Sequence, residues 1–108
     1  MQKQVLVASE IGLRIDTFED VINAIGQCYP MDTLLLTEAD LDSSFFDLRS
    51  GLAGELFQKC TIYNLKIALV VVDLSIYSPR VAELAFEHQT HRTIRFFATK
   101  EAAITWLN

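Results

Sequence analysis

The chain reads as an α/β protein with the order β-β-α-β-α-β-α-β-α, a mostly parallel sheet with an N-terminal antiparallel hairpin and covering helices. Three observations carry this reading. Residues 65–72 contain an unbroken apolar run from Ile67 to Val72, the pattern of a strand buried on both faces. Strand-like segments alternate with amphipathic helical ones, which requires crossover connections and a parallel sheet. The chain has 108 residues, 51% of them hydrophobic, with two prolines and four glycines. That fits one packed domain over residues 1–108 and leaves no room for a second core.

Taken in order, Gln4-Val5-Leu6-Val7-Ala8 has strand character, and Gly12-Leu13-Arg14-Ile15-Asp16 alternates apolar with polar residues. Only Ser9-Glu10-Ile11 separates them, so a hairpin is expected. Thr17, with Asp20 three residues on, starts a helix. Phe18, Val21, Ile22 and Ile25 give that helix one apolar stripe, and Pro30 stops it. Thr33-Leu34-Leu35-Leu36-Thr37 is a short buried strand. An acidic loop and a helical turn around residues 44–48 follow, then a helix marked by Leu52, Ala53, Leu56, Phe57 and Cys60. Residues 65–72 are the central strand. Ser78 is an N-cap followed by Pro79 at the first helical position, and that helix is expected to run to about His91. Residues 93–98 form the last strand, and Thr99 caps a final helix carrying Ala103, Ile104 and Leu107.

Composition narrows the function classes. The formal net charge is −5, from 14 acidic against 9 basic residues, which argues against nucleic acid, whose binding draws on phosphate neutralisation. Glu38, Asp40, Asp42 and Asp47 form an acidic segment, whereas Arg80, His88, His91, Arg92, Arg95 and Lys100 make the last third basic. These are solvated faces, or a bipolar surface that meets a protein partner or a second copy of the chain in a homodimer. The longest apolar run is too short to span a bilayer. No basic, apolar, small-residue leader follows Met1, so a cytoplasmic location without membrane contact is expected. Cys28 and Cys60 lack a CxxC spacing and read as buried free thiols.

The segment Phe45-Phe46-Asp47-Leu48-Arg49-Ser50-Gly51-Leu52 carries the most chemistry. It follows a β-type run and opens an amphipathic helix, where unsatisfied N–H groups suit an anion or a phosphorylated serine. In an open α/β sheet, ligands bind beyond the carboxyl ends of the strands, and that edge also holds Glu38, Asp73, Ser75, Tyr77 and Ser78. The candidate binding or regulatory set is Phe45, Phe46, Asp47, Arg49, Ser50, Gly51, Asp73 and Ser75. Helix capping is the plain alternative for the serines, and core packing is the plain alternative for the two phenylalanines. Asp40-Leu41-Asp42-Ser43-Ser44 fails as an EF-hand loop, since Phe45 and Gly51 stand where glycine and glutamate are needed. A loose magnesium site from Asp40, Asp47 and Asp73 competes with ordinary solvated acids. His88 and His91 lack further zinc ligands. No metal and no cofactor are therefore expected. No nucleophile elbow, P-loop or dinucleotide fingerprint occurs, and catalysis is not expected.

Asp47 followed by Ser50-Gly51-Leu52 at the head of the second long helix resembles the signature of STAS domains, typified by anti-sigma-factor antagonists. In that family an Asp-Ser/Thr-Ser-Gly-Leu motif carries a serine phosphorylated by a partner kinase. Ser50 holds the matching position here, with one extra residue after the acid and Leu48-Arg49 in place of the small polar pair. The ending Ile94-Arg95-Phe96-Phe97, Ala103 and Trp106-Leu107 is similar to the SpoIIAA-like group of the same superfamily. Residues 45–59 and 65–72 are similar to an uncharacterised bacterial domain-of-unknown-function family. The resemblance implies a STAS-like fold and a non-enzymatic regulatory or protein-interaction module. The alternative is a binder of a small apolar or anionic ligand, with a pocket near Phe45, Phe46 and Ser50.

Overall fold

Period-two alternation in three short strands sorts the apolar side chains into two layers. The computed structural model describes residues 5–28 and 32–108. Strands β1 (Thr33–Thr37), β2 (Lys66–Val70) and β3 (Ile94–Phe97) form a parallel sheet in the order β1-β2-β3. In register, Leu35 lies beside Ala68, and Ala68 beside Arg95. Four helices accompany it: α1 (Phe18–Cys28), α2 (Leu52–Ile62), α3 (Pro79–Glu87) and α4 (Lys100–Leu107). Leu34, Leu36, Ile67, Leu69 and Ile94 join the core formed with Val21 of α1, Leu56 of α2 and Val81 of α3. Leu35, Ala68 and Val70 point to the opposite face, where Val7 and the α4 residues Ala103 and Leu107 cover them. Strand β2 is interior, as its apolar run requires.

The local helix-start signals act as expected. The Thr17 hydroxyl accepts from the Asp20 N–H at 3.2 Å and the Asp20 carboxylate accepts from the Thr17 N–H at 3.0 Å, a complete capping box. Pro79 opens α3 directly after Ser78, which takes the N-cap position without a side-chain cap hydrogen bond, and the Thr99 hydroxyl accepts from the Ala102 N–H at 3.2 Å. Cys28 and Cys60 are buried free thiols, raised by burial to about 11 and about 12 respectively. The expected strand start at Gln4 and the stop at Pro30 lie outside the described residues.

Three expectations are corrected. The N-terminal antiparallel hairpin is not formed among the described residues. Val7 instead bridges Leu35 and Ile15 bridges Leu41, both in parallel. The intervening Ala8–Ile11 is a 3-10 turn closed by Gly12 at φ 68°, and it steps the chain past the end of β1 without reversing it. The cause is where the backbone finds its partners: the Leu35 N–H donates to the Leu6 carbonyl and the Ile15 N–H to the Asp40 carbonyl, so each segment pairs alongside β1 and its continuation and not with the other.

The buried stripe of α1 is Val21, Ala24 and Cys28, while Phe18 and Ile22 remain 53% and 63% exposed. The buried face is thus turned towards Ala24 and Cys28, and α1 packs against α2. Finally, α3 ends at Glu87 rather than near His91. His91 leaves the helix because its Nδ1 accepts the Thr93 and Ile94 N–H groups, both at 3.1 Å, at the start of β3.

Candidate functional site

Because β1 and β2 are adjacent and parallel, the loops leaving their carboxyl ends share one edge of the sheet. The first loop is built from carboxylates that satisfy nearby backbone donors. Asp40 is buried and accepts from the Thr37 N–H at 2.9 Å and the Thr37 hydroxyl at 3.0 Å. Asp42 accepts from the Ser44 N–H at 3.1 Å and the Ser44 hydroxyl at 2.6 Å. That hydroxyl, chiefly, holds the Asp42 carboxyl below the usual range. These acids are committed to local turns, and among the described residues no group of three His, Cys, Asp or Glu side chains converges on a metal-sized site.

The two phenylalanines take different roles within the protein. Phe45 is fully buried, edge-on to Phe46 at 5.4 Å and to Phe57 at 6.2 Å between ring centroids. Phe46 is also largely buried, and it lies flat against Tyr77 of the second loop, with centroids 4.0 Å apart and planes 9° from parallel. The Tyr77 hydroxyl donates to the Glu38 carboxylate, whose other oxygen accepts from the Val72 N–H at 3.1 Å. Burial, and then Glu38, push the Tyr77 phenol up to about 12. Glu38 thus ties the end of β1 to the segment leaving β2.

Beyond this aromatic pair opens a cavity of about 650 Å³, lined by Ser43, Phe46, Asp47, Leu48, Arg49, Tyr77, Ser78 and Arg80. Asp47 accepts from the Arg49 N–H and from Arg49 Nε, both at 3.2 Å. The Arg49 side-chain contact, first of all, keeps the Asp47 carboxyl below its ordinary range. The Arg49 side chain is otherwise 90% exposed.

Of the residues singled out in the sequence, the cavity brings together Phe46, Asp47 and Arg49. Phe45 stands behind it in the core. The Ser50 hydroxyl donates to the Ser44 carbonyl at 2.6 Å and accepts from the Leu52 N–H at 3.2 Å, so it braces the entry to α2. Ser50 borders a separate shallow concavity with Asp16, Thr17, Phe18, Ser44 and Leu52. Gly51 sits at φ 80°, a left-handed conformation that favours glycine. Asp73 and Ser75 form a small turn of their own, the Ser75 N–H donating to Asp73 at 2.9 Å, and they do not line the cavity. Ser43 and Arg80 are cavity residues that sequence reasoning left out of the candidate set. A signal for Arg80 was present, since a helix starting at Ser78-Pro79 just after a central strand places Arg80 in its first turn at this edge.

The family model described as "Domain of unknown function (DUF4180)" matches residues 1–107, and the chain belongs to that family. No curated protein and no solved structure matches it. No helix among the described residues is long and apolar enough to cross a membrane.

Proposed function

We propose that this member of the DUF4180 family is a non-enzymatic binding module, and that the cavity between the loops after β1 and β2 is where a small ligand enters. One observation carries the reading: an open concavity of about 650 Å³ at the carboxyl edge of the sheet, walled by the stacked Phe46–Tyr77 pair and rimmed by Ser43, Asp47, Arg49, Ser78 and Arg80. Its size is that of small-molecule sites, and apolar walls with a few convergent polar groups are their usual lining. No residue pair in the cavity has the nucleophile–base relationship that would favour a reaction over binding. STAS-like kinship is part of the proposal, supported by Asp47, Ser50, Gly51 and Leu52 at the head of α2.

The experiment is a thermal-shift screen against small polar and aromatic compounds, repeated on Ser43→Trp. Ser43 is exposed at the cavity wall, so a tryptophan there fills the space without touching the core. Saturable stabilisation of the wild type that disappears in Ser43→Trp supports the site. Ligands that bind both proteins equally would move the function elsewhere.

A second reading, a regulatory module that meets a protein partner or its own copy, is favoured by a different surface. Val72 and Phe86 are 74% and 70% exposed, and they border an apolar groove with Leu74, Ala85, Phe96 and Phe97 beside the edge strand β3. The Phe45–Phe46 pair plays no part in this surface, because both rings are buried.

A further inference from the structure

We propose that the cavity selects a planar organic anion. The flat apolar body would lie against the Phe46–Tyr77 wall and a carboxylate or phosphate group would be held by Arg80, with Arg49 as a second cation. This rests on the binding-module reading above and names its ligand class.

The wall is held by contacts within the fold. Tyr77 is stacked on Phe46 and its hydroxyl is held by Glu38, while Phe46 is braced edge-on by Phe45. An aromatic surface fixed in this way binds a flat partner without ordering cost.

The charge of the lining runs against that of the protein. Two guanidinium groups, Arg49 and Arg80, face one carboxylate, Asp47, so the lining carries +1 in a chain whose net charge is −5. Arg49 shares its Nε with Asp47. Arg80 makes no hydrogen bond or ion pair with any described residue. Glu83 and Glu87 border it across a neighbouring shallow groove, yet neither forms an ion pair with it. The Ser78 hydroxyl caps no backbone N–H at the start of α3, and with Ser43 it adds a neutral donor at the rim. A planar fork of donors with no carboxylate of its own matches a carboxylate or phosphate in two parallel hydrogen bonds. A free inorganic anion would use the arginine and waste the wall, and a neutral aromatic would do the reverse.

Four probes separate these contributions: benzoate, phenyl phosphate, benzyl alcohol and inorganic phosphate, each titrated into labelled wild type and Arg80→Gln and followed by amide NMR shifts. Arg80 is exposed, so the variant keeps the fold, which its unshifted remaining spectrum verifies. Benzoate or phenyl phosphate should move residues 43–49 and 77–80 and bind about tenfold more tightly than benzyl alcohol or inorganic phosphate. The tighter of the two identifies the headgroup. Arg80→Gln should erase the tenfold advantage and leave benzyl alcohol unchanged. Equal binding of benzoate and benzyl alcohol at the cavity would overturn the anion inference and leave the binding module standing. Equal binding of inorganic phosphate would overturn the role of the wall. If no probe moves these residues, the anion inference is overturned, and the binding module stands or falls on the Ser43→Trp screen.

Discussion

Tyr77 lies flat on Phe46, their ring centroids 4.0 Å apart, and its hydroxyl donates to Glu38 across a sequence gap of 39 residues. One side chain thereby connects the loop after β1, the segment after β2 and the wall of the cavity. Tyr77→Phe keeps the stack and removes the hydroxyl, leaving one oxygen of Glu38 without its donor. The expected cost is about 1–2 kcal/mol in urea denaturation. Stability unchanged within error would mean that water replaces the phenol and that the connection is not structural.

The same phenol gives an alkaline signature. Its value in the folded protein is raised from 10.0 to about 12, so the folded state holds the proton more tightly than the unfolded one. The contribution to stability is therefore complete below pH 10 and is lost as pH rises from 10 towards 12. The phenolate absorbance of wild type minus that of Tyr77→Phe should rise late in this window. A difference curve centred at the ordinary value would contradict the contact with Glu38.

His91 sets an acidic limit. Burial first, then the charges of His88 and Arg95, lower its pKa below 6.5, and its Nδ1 must stay unprotonated to accept the Thr93 and Ile94 N–H groups. Folded His91 binds fewer protons than unfolded His91. Its stabilisation is present above pH 6.5 and is lost as pH falls through the folded value. His91→Asn retains an acceptor without the titration, so wild type should lose stability relative to it on acidification from neutrality. Parallel stability curves for the two proteins would dismiss the histidine as the cause.

Gly51 should resist substitution for a backbone reason. It stands at φ 80°, and a Cβ there would meet Phe18 Cζ at 3.6 Å, ordinary contact and no clash. Gly51→Ala should therefore destabilise the protein by about 1–2 kcal/mol through the left-handed conformation alone, and Gly51→Asn by less. Similar losses in the two variants, measured by thermal melting, would point to packing instead.

Self-association, if it occurs, should run through the β3 edge. Light scattering at micromolar protein should then report a dimer that Phe86→Glu converts to a monomer, since an exposed apolar residue at the centre of an interface does not tolerate a charge. A monomer in the wild type under low salt discards this surface, and a dimer that survives Phe86→Glu relocates it.

Signals that act within about four residues were legible along the chain. The Thr17–Asp20 capping box and the Thr99 cap satisfy backbone donors close in sequence, and the Ser78-Pro79 start needs only the fixed φ of a proline at the first helical position, so residue identity suffices to place all three. The apolar run in residues 67–72 announced an interior strand, although the strand ends at Val70 and Val72, beyond it, is 74% exposed. The path of residues 5–16 was not legible. Alternation marks a strand-like segment, but parallel or antiparallel pairing depends on which backbone the fold sets beside it, here Leu35 for Val7 and Leu41 for Ile15. Nor could Phe45 be told from Phe46, since neighbours of identical chemistry differ only in what the fold sets opposite them: Phe57 for one, Tyr77 for the other. The cavity was legible in part: the order of elements placed Phe46, Asp47, Arg49, Tyr77 and Ser78 at one edge, while only the fold decided which of them line it together with Ser43 and Arg80. Its walls come from residues 43–49 and 77–80, which meet only because β1 and β2 pair in parallel and release their loops on the same edge.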